Sequence, residues 1–123
     1  MQISVVIPLF NEEESLPELH QWIQMVMAKE QFSYEIIFVD DGSTDHSWEV
    51  IQNICASDRH VKALRFLRNY GKSQALNAGF ARAEGQVVIT MDADLQDDIN
   101  AVDAMLEKYA AGVNIVYGVR ANR

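Results

Sequence analysis

The feature that most constrains this chain is an alternation of two residue patterns. Short apolar, β-branched runs recur between longer stretches whose apolar residues fall at helical spacing. Ile3-Ser4-Val5-Val6-Ile7 is nearly continuous apolar, the pattern of a parallel strand covered on both faces. Pro8 is expected to end it. Asn11 can cap a helix opening with Glu12, Glu13 and Glu14, because acids suit the positive end of a helix. Leu16, Leu19, Ile23 and Val26 give that helix one apolar stripe. Residues 34–39 repeat the strand pattern, Asp40-Asp41-Gly42-Ser43 reads as a turn, and Trp48, Ile51 and Cys55 mark the inner side of a second helix. Residues 61–66 predict a third strand, and 71–83 a helix rich in small residues that Gly85 stops. Residues 87–91 predict a fourth strand. Val102, Met105 and Tyr109 share one side of a further helix, Gly112 follows, and residues 114–118 predict a last strand.

Strands and helices in strict alternation predict an α/β fold, a mostly parallel sheet with helices on both faces and right-handed crossovers. Ligands of such sheets bind beyond the carboxyl ends of the strands, where strand order reverses. The 123 residues suffice for one domain around one core. No closing helix is read over residues 119–123, so the chain is expected to be part of a longer domain, cut at its C-terminal side.

Charge narrows the ligand. The formal net charge is −8, which argues against nucleic acid or an anionic membrane surface held by simple attraction. A phosphate ligand therefore needs a cation to accompany it. The single cysteine, Cys55, allows no internal disulfide and fits a reducing cytoplasm. No apolar run approaches the ~18 residues of a membrane span. No basic segment precedes the first apolar run, so it does not read as a signal peptide.

Three segments converge on one edge of such a sheet: Pro8-Leu9-Phe10-Asn11-Glu12, Asp40-Asp41-Gly42-Ser43, and Asp92-Ala93-Asp94-Leu95-Gln96. Two carboxylates separated by one residue, where a strand becomes a loop, can meet at one site. Such oxygen ligands suit Mg²⁺ or Mn²⁺, which fill their remaining positions with water and substrate phosphates. Gln96 adds an amide oxygen. The same Asp92-Ala93-Asp94 also reads as an acidic loop, with Asp97 or Asp98 capping the next helix. An acid after the second strand of a nucleotide-binding sheet can accept from a base N–H or a ribose hydroxyl. Asp40-Asp41-Gly42-Ser43 is equally ordinary turn chemistry. Lys72 places a positive charge at a helix start, against phosphate or at the surface. Gly71-Lys72-Ser73 is not the tail of a P-loop, because Phe66 stands where that motif requires glycine. No G-x-G-x-x-G follows the first strand. His20, His46 and His60 share no ligand-like spacing and read as surface or structural.

Taken together, Val5-Val6-Ile7-Pro8-Leu9-Phe10-Asn11-Glu12, Val39-Asp40-Asp41-Gly42-Ser43-Thr44-Asp45 and Met91-Asp92-Ala93-Asp94-Leu95-Gln96 resemble family 2 glycosyltransferases of the GT-A fold. Arg68-Asn69-Tyr70-Gly71-Lys72, Ala75-Leu76-Asn77-Ala78-Gly79 and Val116-Tyr117-Gly118-Val119-Arg120 are similar to the polyprenyl-phosphate branch. That branch includes dolichyl-phosphate mannose synthases and bactoprenol glucosyltransferases.

The resemblance implies a GT-A (Rossmann-like) three-layer sandwich. It implies inverting transfer of a sugar from a UDP- or GDP-sugar to a polyprenyl phosphate, on the cytoplasmic side of a membrane, or to a saccharide acceptor in cell-envelope polysaccharide synthesis. Pro8, Phe10 and Glu12 would then line base and ribose, and Asp41 would contact the base with Asp40 and Gly42 beside it. Lys72, Ala93 and the carboxylates would meet the donor, with Asp92, Asp94 and Gln96 holding Mg²⁺ or Mn²⁺ and the diphosphate. Arg120 and Arg123 would lie near the acceptor phosphate. Phe10 replaces the tyrosine common in the family, and Ile99 a usual proline. The pattern names no catalytic base.

Two other chemistries fit less well. A receiver-type signalling module carries its acid pair after the first strand and a lone Asp after the third, where this chain has Phe66-Leu67-Arg68. A phosphatase with an Asp-x-Asp nucleophile usually has the pair after its first strand, with Thr or Gly close behind. Here Leu95-Gln96 follows.

Overall fold

A computed structural model describes residues 1–94, 104 and 106–108. Strands β1 (Ile3–Leu9), β2 (Tyr34–Asp40), β3 (Val61–Arg65) and β4 (Val87–Thr90) alternate with helices α1 (Leu16–Glu30), α2 (Ser47–Ser57) and α3 (Lys72–Arg82). The strands form one sheet, ordered β3-β2-β1-β4, with every pairing parallel. This is the α/β architecture with a parallel sheet that the alternation predicts. Residues 104 and 106–108 are helical, and Leu106 is buried in the core. Val102, Met105, Tyr109 and the strand expected over 114–118 lie outside the described residues.

Alternation along the strands divides the side chains between two layers. Ile3, Val5, Ile7 and Leu9 of β1 and Ile36 and Phe38 of β2 share one core with Leu16, Leu19 and Ile23 of α1 and Ile51 of α2. On the other face, Val6, Ile37 and Val39 pack with Ala75 of α3. The small residues of α3 permit that approach: a Cβ on Gly79 would lie 2.4 Å from Val6 Cγ1.

The chain steps from β1 to β2 to β3 with α1 and α2 on one face. It then returns past β1 to β4, with α3 on the other face. Crossovers of a single hand require this change of face when direction reverses. The reversal opens a crevice at the carboxyl ends of β1 and β4.

Most boundaries fall within a residue of the sequence reading, and two differ by more. β1 continues through Pro8 to Leu9. The Val6 carbonyl accepts from Met91 N–H at 3.1 Å, so Val6 and Pro8 both face the β4 side. Pairing with β4 ends at Val6–Thr90, so the absent N–H of Pro8 interrupts no rung. Helix α1 begins at Leu16 after Ser15, not at Glu12, because Glu12 and Glu13 are tied to the segment after β2.

The amino ends of the strands carry two buried carboxylates. Glu35 accepts from the Ser4 hydroxyl at 2.6 Å, Glu84 N–H at 2.7 Å and the Lys62 ammonium at 2.8 Å. Burial alone would push its carboxyl up; these donors outweigh burial and hold it below the usual range. Asp58 takes His20 Nε2 at 2.7 Å and His60 Nδ1 at 2.8 Å, joining α1 to the turn between α2 and β3. His20 and His60 are thus structural. His46 Nδ1 lies 3.7 Å from Glu13.

Candidate functional site

The crevice is a cleft of about 240 Å³. The end of β1 supplies Pro8, Leu9 and Phe10 to its wall, and the turn that follows supplies Glu12. Asp41 comes from the end of β2 and Lys72 from the first position of α3. Asp92, Ala93 and Asp94 continue beyond β4. Eight of the residues expected to bind a ligand therefore line one concavity. Leu9 is the ninth, and sequence reading missed it, although it stands between two residues that were named.

One wall is built by Asn11, which adopts the left-handed region at φ 56°. Asparagine tolerates that region better than most residues. Its Oδ1 accepts from Thr44 N–H at 2.8 Å and Asp45 N–H at 3.2 Å, while its own N–H donates to Ser43 Oγ at 2.9 Å. Glu12 N–H donates to Ser47 Oγ at 2.9 Å, and Glu13 N–H to Asp45 Oδ2 at 3.3 Å. Asn11 is therefore a clasp between two segments rather than a helix cap. The short polar residues after β2 do this work, and their turn-like composition was the only signal of it in the sequence.

Asp40 and Asp41 divide their tasks. Asp40 is fully buried, does not line the cleft, and accepts Ser43 N–H on Oδ1 at 2.8 Å. At this position the turn reading describes the observed contact. Asp41 lines the cleft and also holds the β3–α3 segment: Tyr70 N–H donates to Oδ1 at 2.7 Å and Gly71 N–H to Oδ2 at 3.0 Å. Gly42, expected beside the ligand, instead lies under that segment. Its φ is +77°, and a Cβ there would sit 2.3 Å from the Arg68 carbonyl carbon.

The charged floor joins α3 to the segment after β4. Lys72 Nζ donates to Asp92 Oδ1 at 2.9 Å. The Lys72 side chain is 45% exposed and that of Asp92 only 12%. The cleft so carries the carboxylates of Glu12, Asp41, Asp92 and Asp94 against one ammonium, with the half-exposed Phe10 ring at its rim. Among the described residues, no group of three or more His, Cys, Asp or Glu side chains is gathered to hold a metal. No helix among them is long and apolar enough to cross a membrane. Gln96, Arg120 and Arg123 lie outside the described residues.

Comparison with known proteins gives a consistent set. A family model described as glycosyl transferase family 2 matches residues 4–123. A bactoprenol glucosyl transferase of Shigella phage SfV is 40% identical over the whole chain, which spans 40% of that protein. An undecaprenyl-phosphate 4-deoxy-4-formamido-L-arabinose transferase of Pectobacterium carotovorum is 44% identical over 98% of the chain and 37% of its own length. The chain thus spans about two-fifths of the curated relatives it matches. Among solved structures, Staphylococcus aureus TarS 1-349 in complex with UDP-GlcNAc aligns with TM-score 0.71 and 27% identity over 90% of this chain and 30% of that one. The mannosyltransferase PcManGT of Pyrobaculum calidifontis, in complex with GDP-Man and Mn²⁺, aligns with TM-score 0.66 and 23% identity over 76% and 27%.

Proposed function

Because the chain belongs to glycosyl transferase family 2, we propose that it forms the donor-binding part of an inverting enzyme that moves a sugar from a UDP- or GDP-sugar to a polyprenyl phosphate. The observation that carries this reading is the cleft at the strand-order reversal, where one face offers a ring and acids and the floor an acid pair and an ammonium. The relatives named for bactoprenol and undecaprenyl phosphate support the acceptor class.

In this reading Phe10 packs on the nucleotide base, and Glu12 and Asp41 accept from ribose hydroxyls and base N–H groups. Lys72 and the Asp92-Ala93-Asp94 segment face the diphosphate. Mg²⁺ or Mn²⁺ fits the donor set: two carboxylates are what Mg²⁺ takes when substrate phosphates complete its shell. Asp92 already accepts a cation, the Lys72 ammonium. Such an ion supplies neutralisation of the charge that builds on the departing nucleoside diphosphate. An acceptor phosphate oxygen attacks the anomeric carbon opposite that leaving group; the new C–O bond forms as the sugar–diphosphate bond breaks, which inverts the centre. Gln96 is assigned to the diphosphate side, and Arg120 and Arg123 to the acceptor phosphate, by the family resemblance alone.

The test is a thermal-shift titration with UDP, GDP and CDP, each with and without Mn²⁺. A nucleotide at 100 times its dissociation constant adds about 2.7 kcal/mol of stability. One nucleotide stabilising the fold only with Mn²⁺ is the expected result and names the base. Stabilisation by none overturns donor binding by this chain.

A further inference from the structure

The Lys72–Asp92 ion pair occupies the carboxylate that the proposed function assigns to a divalent cation. Its two halves differ in freedom. Asp92 is nearly buried two residues beyond the end of β4. Lys72 stands half-exposed at the first position of α3 on a flexible four-carbon stem. No acid occupies the first turn of α3, and the ammonium meets Asp92 Oδ1 at 2.9 Å. The ammonium bonds Oδ1 of Asp92, and a divalent ion held by the same carboxylate would lie close enough to that ammonium for the two cations to repel. A diphosphate entering the same cleft brings a new anionic partner for the displaced ammonium.

We infer that Lys72 is a stand-in cation. It holds Asp92 in the metal-free cleft, is displaced by the divalent ion, and moves to the donor diphosphate. Metal and nucleotide thereby favour each other's binding, and the cleft discriminates against metal arriving alone. Lys72 is in this sense a positioning residue, and the inference rests on the donor-site reading above. The coupling is reciprocal: the factor by which nucleotide tightens metal equals the factor by which metal tightens nucleotide.

The experiment titrates Mn²⁺ into the chain and into Lys72→Met and Lys72→Gln variants, with free Mn²⁺ read by electron paramagnetic resonance. Each titration is repeated with saturating UDP or GDP. Without nucleotide, both variants are expected to bind Mn²⁺ about two- to fivefold more tightly than the parent, the equivalent of a partly exposed ion pair removed as competitor. With nucleotide, the parent gains affinity for Mn²⁺ and the variants gain less. A merely structural lysine would not tighten nucleotide-free Mn²⁺ binding while shrinking the gain that nucleotide brings. Nucleotide-free Mn²⁺ affinity unchanged or weaker in both variants, in a parent that does couple metal to nucleotide, overturns the stand-in role and leaves the donor site standing. No Mn²⁺ binding by the parent with either nucleotide overturns both.

Discussion

Asp41 holds the backbone of Tyr70: the N–H of Tyr70 donates to Asp41 Oδ1 at 2.7 Å, 29 residues away in sequence. The other oxygen takes the N–H of Gly71, the residue just before α3. A carboxylate that lines the cleft therefore also anchors the segment that delivers Lys72 to it. An amide in its place offers one acceptor oxygen and turns an NH₂ toward the second donor. Asp41→Asn is expected to cost about 1.5–3 kcal/mol in urea unfolding, the worth of a hydrogen bond accepted by a charged group. It is also expected to weaken nucleotide binding. A variant as stable as the parent would show that the segment does not depend on this carboxylate.

Asp94 separates binding from folding. It lines the cleft beyond the end of β4. Asp94→Ala is expected to abolish the Mn²⁺-dependent part of nucleotide stabilisation, with the unliganded melting temperature staying close to that of the parent. Thermal melting of both proteins with and without Mn²⁺ and nucleotide checks this; an undiminished shift removes Asp94 from the metal assignment.

Acid should act in part through Asp58. Burial pushes its carboxyl up, but the bonds from His20 and His60 outweigh burial and bring it down to about 2. A carboxyl whose folded value lies below its unfolded one adds stability above the unfolded value and loses it as pH falls through the folded value. From an ordinary 3.8 to about 2, that amounts to about 2 kcal/mol, lost as pH falls from about 4 towards 2. Glu35 is shifted in the same direction, so the useful quantity is a difference. The stability gap between the parent and Asp58→Asn, by urea unfolding, should be widest above pH 4 and close on acidification. A gap constant from pH 5 to pH 2 contradicts the assignment.

Helix α3 has no room at Gly79, where an added Cβ would lie 2.4 Å from Val6 Cγ1. Gly79→Ala gains up to about 1 kcal/mol in helix propensity. It is nonetheless expected to lose about 1–3 kcal/mol overall by overpacking. The same change made in a Val6→Ala background should cost less, because the clashing methyl has gone. Equal costs in the two backgrounds would mean that α3 shifts freely on the sheet.

The sheet was legible because short runs rich in apolar, β-branched residues alternate with stretches of helical spacing, and the strand-end acids because the topology leaves them one edge to share. The boundaries were harder. Pro8 reads as a stop, yet the strand passes through it, since only the register of β4 reveals that its N–H is not needed. Glu12, Glu13 and Glu14 read as a helix start, yet the amides of Glu12 and Glu13 are used by Ser47 and Asp45 from another part of the chain. Asp40 and Asp41 are identical in type and adjacent, and one is spent inside a turn while the other faces the cleft. Glu35 escaped notice as a single acid in an apolar strand, because its partners Ser4, Lys62 and Glu84 lie on three other segments. Pattern locates elements; long-range hydrogen bonds decide what each polar residue does.

Pro8 has one last consequence. Parallel strands lengthen like a zipper, each new tooth needing one N–H from the neighbour. The next tooth between β1 and β4 after Met91 would have to come from position 8, and proline has none to give. Position 8 therefore adds no rung between the two strands, and the segment carrying Asp92 and Asp94 begins where their pairing has already ended.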